Sequence, residues 1–70
     1  MTKRELEALA VRALGEGAKV EIKRMSSWWW IAQATRVETD GKLIIPRRDS
    51  SRGFAIRALA AALTALAEGK

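Results

Sequence analysis

Three consecutive tryptophans, Trp28, Trp29 and Trp30, stand in a chain with no tyrosine and a single phenylalanine. Neighbouring side chains of a β-strand point to opposite faces, so a sheet with one buried face cannot hide all three. Either the middle indole or the flanking pair must look away from the core. The surroundings of the tryptophans therefore decide both what the chain buries and what it presents to a partner.

The flanking sequence reads as two helices around three strands. "TKRE" at residues 2–5 is a capping box: the Thr2 hydroxyl can accept from the Glu5 N–H while the Glu5 carboxylate reaches back to Thr2. Met1 and Leu6 stand where a hydrophobic staple would close over it. Leu6, Leu9, Ala10, Ala13 and Leu14 follow at helical spacing, so a helix is expected over about 3–14, stopped by Gly15 in a left-handed cap. "AKVEIKRM" at 18–25 alternates with period two and reads as a half-buried strand. Residues 28–38, rich in aromatic and β-branched side chains, read as a longer second strand. "TDGK" suits a two-residue type I′ hairpin on Asp40-Gly41, leading to a short third strand, 42–45, that ends at Pro46. A second helix is expected from Ser50–Arg52 to about Ala67, capped by Asp49, Ser50 or Ser51, with Ile56, Leu59, Leu63 and Leu66 as its apolar stripe and alanines widening it. The order αβββα implies an α+β fold of a single domain, residues 1–70: a three-stranded antiparallel meander with two helices packed on one face.

Register then distributes the side chains. Centring the first turn on Ser26-Ser27 sets Ile22 opposite Ile31, Lys23 opposite Trp30 and Arg24 opposite Trp29. Centring the second on Asp40-Gly41 sets Val37 opposite Ile44. On this reading Ala18, Val20, Ile22, Trp29, Ile31, Val37 and Ile44 form the core face. Lys19, Glu21, Lys23, Trp28, Trp30, Ala32, Ala34, Arg36, Leu43 and Ile45 form the uncovered face. Trp29 is then inside and Trp28 and Trp30 outside. An exposed apolar patch of Trp28, Trp30, Leu43 and Ile45 is a surface for a partner. Its occupant is a second copy giving a homodimer, a different protein, or nucleic-acid bases stacked on the rings with Lys23 and Arg36 near the phosphates. A strand end bent so that Trp28 closes over the core is the structural alternative.

The charge also points to a polyanion. Thirteen Lys and Arg against eight Asp and Glu give a net charge of +5. "PRRDSSRG" gathers Arg47, Arg48 and Arg52 around the expected start of the second helix, with Arg57 one turn on; helix N–H groups, the dipole and guanidinium groups there all favour phosphate. The competing reading is of solvated loop arginines paired with Asp49. DNA and RNA are not distinguished by these residues.

The chain has no histidine and no cysteine, hence no disulfide, no zinc site and no visible base to activate Ser26, Ser27, Ser50 or Ser51. A non-catalytic protein without cofactor or metal is expected. No apolar run approaches the roughly 20 residues of a membrane span, and "MTKRELEALA" does not resemble a signal peptide. The lack of cysteine fits a reducing compartment, so a cytoplasmic location is expected.

The element order and "SSRGFAIRALAAAL" resemble the double-stranded RNA-binding domain, which grips duplex phosphates through basic residues at its second helix. That resemblance implies RNA binding, with Gly53 and Ile56 standing where the family commonly carries lysines. "IIPRRDSSRGFAIRAL" is also similar to the last portion of the HicA-type messenger-RNA-cleaving toxins, which share this fold; "RMSSWWW" occupies the place of their histidine turn, without the histidine. The function expected is a small binding protein contacting nucleic-acid phosphates. The alternative is a protein-only interaction module, such as a small regulator or inhibitor from a phage or mobile element.

Overall fold

A computed structural model describes residues 1–69. The elements follow in the expected order: α1 (Lys3–Leu14), β1 (Lys19–Ser26), β2 (Trp29–Glu38), β3 (Gly41–Asp49) and α2 (Arg52–Glu68). The strands form an antiparallel meander in the order β1-β2-β3, and the two helices pack against each other and on the sheet. This is the α+β architecture that the apolar periodicities imply. No helix among the described residues is long and apolar enough to cross a membrane.

Local chemistry sets the helix ends. Thr2 Oγ1 accepts from the Glu5 N–H at 3.2 Å, and Glu5 Oε1 accepts from the Thr2 N–H at 3.1 Å, so two otherwise orphaned donors are satisfied. At the other end Gly15, at φ +103°, takes a backbone conformation that side chains resist, and its N–H donates to Val11 O at 2.8 Å. Ser51 is the cap of α2, its hydroxyl accepting from the Phe54 N–H at 3.1 Å.

The strands differ from the expected register in an instructive way. Ser26 pairs with Trp29, leaving Ser27 and Trp28 as the loop; Met25 is bulged out, so Arg24 pairs with Trp30 and Ile22 with Ala32. No residue other than glycine has a positive φ, so this turn is not of the primed type whose twist matches the strands. A bulge beside it adds right-handed twist locally. The net result is a slip of one residue from the expected pairing, and a slip of one exchanges the faces of the strand.

The expected burial of Trp29 is therefore corrected: Trp30 packs against the core with Ile22 and Ile45, while Ala32 and Ala34 are fully buried. Ile31 and Trp29 lie on the side away from the helices, with Val37 and Ile44. The expected outward placement of Trp30, Leu43 and Ile45 is corrected by the same slip. Ile45 pairs with Ala34, and Leu43 with Arg36 at the rim of the helix-covered side. In the second hairpin Glu38 pairs with Gly41 around a Thr39-Asp40 loop, so Val37 meets Lys42 instead of Ile44. Gly41 takes the positive φ, +148°. This slip of two residues preserves the faces.

β3, expected to end at Pro46, instead runs on to Asp49. β3 is an edge strand, and an edge can hold a residue with no N–H to give. The core joins Leu6, Ala10 and Ala13 of α1 to Ala55, Leu59 and Leu63 of α2 over Val20, Ala32 and Ala34. Leu6, Leu59 and Leu63 are its largest fully buried side chains; each contributes about 2 kcal/mol by burial. Alanines on both layers let α2 lie close to the sheet. Leu66, expected in the stripe, is exposed.

Two measurements follow from this register and these caps. Trp28→Ala should change unfolding free energy by no more than about 0.5 kcal/mol, and Trp30→Ala should cost about 2 kcal/mol or more, both read by urea denaturation; the reverse order would restore the other register. Glu5 is held below the usual carboxylate range by the Thr2 backbone and side-chain hydrogen bonds. A depressed folded pKa adds stability above the unfolded value that is lost as pH falls through the folded one. Thr2→Ala keeps the backbone donor and removes the hydroxyl, so it should move Glu5 only partway upward in an NMR-monitored titration and reduce that acid-sensitive increment.

Candidate nucleic-acid interface

The uncovered face of the sheet carries Lys19, Glu21 and Lys23 from β1, Trp29, Ile31, Gln33, Thr35 and Val37 from β2, and Lys42, Ile44, Pro46 and Arg48 from β3. Among the described residues, the paired strands thus place four cations and one carboxylate on that face. Lys23 Nζ lies 3.0 Å from Glu21 Oε2. The side-chain hydrogen bond from Lys23, followed by its charge, holds Glu21 below the ordinary carboxylate range, with Lys42 and Lys3 adding smaller attraction. Lys23 is therefore partly committed to Glu21, in an exposed pair worth little for stability.

The aromatic end is built by the first hairpin and the end of β3. The Arg48 guanidinium carbon lies 5.5 Å from the centroid of the Trp29 ring. This cation–π contact follows from the observed register: Arg48 pairs with Ile31, the next residue on the Trp29 side of the strand. Trp28, in the loop, is 72% exposed, and its ring centroid is 6.1 Å from that of Trp29 with the planes at 49°. Trp28, Trp29, Arg48, Asp49 and Ser50 line an open cavity of about 540 Å³. Asp49 Oδ1 accepts from the Ser50 N–H at 2.7 Å and from the Ser50 hydroxyl at 3.2 Å.

The other expected phosphate ligands are placed unevenly. Arg47 is exposed on β3, and its Nη1 donates to Pro46 O at 2.6 Å. Arg52 is the first residue of α2 and is exposed. Arg57 lies on the outside of α2, its guanidinium 5.7 Å from the centroid of the Phe54 ring. Arg36 is not on the uncovered face, and its expected place beside phosphates is corrected. It projects to the helix side, where Nη1 donates to Leu14 O at 2.6 Å and the guanidinium packs against Gly15. It satisfies a carbonyl that the end of α1 leaves open.

The residues missed from the sequence are Trp29, as an outward-facing ring, and Asp49, as part of the cavity wall. A signal was present for the first. Had Trp29 and Ile31 faced the helices, Gln33 and Thr35 would have followed them inward, placing a polar amide in the middle of the core. The alternate set, Trp30, Ala32 and Ala34, meets no polar side chain before Arg36.

Comparison with family models, curated proteins and solved structures yields no match. Among the described residues no group of three or more His, Cys, Asp or Glu is placed to hold a metal ion. What the arrangement can do chemically is hold anions beside an exposed aromatic surface. Arg36→Ala should cost about 1–2 kcal/mol of folding stability by stranding the Leu14 carbonyl, measured by urea denaturation; no loss would assign that carbonyl to water.

Proposed function

We propose that this is a small non-catalytic binding protein that holds nucleic acid at the end of the sheet where Arg48 stands beside the exposed Trp28, with Arg47, on the other face of β3, and Arg52, at the start of α2, adding charge around that end. The observation that carries the reading is the placement of Arg48 over Trp29 beside a solvent-open Trp28, all three on one cavity. A cation neutralises phosphate and releases its counterions. An exposed indole offers a stacking surface to a base, and sites that combine the two bind nucleic-acid strands. Lys19, Lys23 and Lys42 extend the positive face along the sheet. Arg57 adds charge further along α2, outside the cavity. The resemblance to the double-stranded RNA-binding domain is shared in the element order alone, and a cytoplasmic location is part of the proposal.

Fluorescence anisotropy with labelled oligonucleotides across a salt series tests this. Arg47→Ala with Arg48→Ala should weaken binding and flatten the slope of log K against log salt by about one unit per lost phosphate contact. A native protein that binds neither DNA nor RNA at low salt would sink the proposal and favour a protein-only interaction module, whose partner would then be an acidic protein surface.

A further inference from the structure

The cavity beside Trp28 contains a group that a phosphate site would not. Asp49 lines it together with Arg48, and its carboxylate is fixed in orientation by the backbone N–H and hydroxyl of Ser50. A carboxylate accepts hydrogen bonds and donates none, so it repels a phosphate and attracts an N–H. The aromatic geometry points to the same kind of occupant. Ring centroids 6.1 Å apart are at direct contact distance for two aromatic groups, so nothing fits between Trp28 and Trp29. One face of Trp29 is taken by Arg48. The free surface is that of Trp28.

Resting on the nucleic-acid reading above, we propose that this cavity takes one unpaired, amine-bearing base of a single strand, with cytosine as its simplest fit. The base stacks on Trp28, its exocyclic N–H donates to the Asp49 carboxylate, and Arg48 meets a flanking phosphate. Thymine and uracil present a carbonyl oxygen where cytosine presents that amine, and a carboxylate rejects it. A duplex covers both faces of every base with its neighbours, so it cannot use the Trp28 surface without unstacking.

Tryptophan fluorescence quenching at neutral pH and low salt tests the assignment. The probes are short homopolymers of deoxycytidine and deoxythymidine, their RNA counterparts, and a duplex of equal length. Cytidine strands should bind about fivefold more tightly than thymidine or uridine strands, and single strands more tightly than the duplex. Asp49→Asn keeps an acceptor for the Ser50 hydrogen bonds while removing the charge and adding a donor. It should erase the cytosine preference by raising affinity for thymidine. The preference should hold in both DNA and RNA, since the base edge is common to them; one confined to a single sugar overturns the assignment to Asp49. Equal binding of all strands, a preference for the duplex, or a ratio unchanged in Asp49→Asn also overturns it and leaves the nucleic-acid reading standing. Absence of binding to every probe removes both.

Discussion

The bulge at Met25 is the constraint on which the rest of the molecule depends. By leaving one residue of β1 without a partner, it brings Arg24 opposite Trp30 and Ile22 opposite Ala32. Every side chain of β2, and through it every side chain of β3, is then assigned to a face. The face turned to the helices carries Trp30, Ala32 and Ala34, with Ile45 of β3 beside Ala34. Alanine at the centre of that face suits the alanine-rich α2, because neither layer holds the other away. Large side chains then close the core from its margins: Leu6 from α1, Leu59 and Leu63 from α2, and Trp30 at one end of the sheet.

The same pairing creates the candidate interface. Trp29 is turned outward, where Arg48 crosses its ring, and Trp28 is left in a loop with little to cover it. At the opposite end of β2, Arg36 is drawn to the helix side and spent on the last turn of α1. Two arginines of neighbouring strands therefore acquire different work. Arg36 completes the hydrogen bonding of the fold, and Arg48 remains available at an aromatic surface. Charge count alone could not separate them, because the separation lies in which face each side chain occupies.

Much of the fold was legible because its signals are local. The Thr2–Glu5 box, Gly15, Ser51 and the spacing of leucines identify both helices within a residue or two, and period-two alternation identifies β1. Register is not local in that sense. It depends on one unpaired residue beside a turn of ordinary polar and aromatic residues, with no glycine to mark it. The apolar sizes were also misleading: Trp29, Ile31, Val37 and Ile44 look like core, whereas Ala32 and Ala34 look expendable. Polar Gln33 carried the better information, since its position in the middle of β2 disfavours burying its own face. Arg47, Arg48 and Arg52 were legible as a basic cluster, but the cavity wall of Asp49 and Trp29 exists only once the strands are paired.

The two outer strands of the sheet share a property. On β3 the backbone offers Pro46, which has no N–H, between residues followed by Arg47 and Arg48. On β1 the bulge interrupts the line of backbone groups, and the strand carries Lys19, Lys23 and Arg24. Each is a recognised means of refusing a neighbouring strand. A basic, alanine-rich chain can thus reach high local concentration without its sheets joining side by side into fibres.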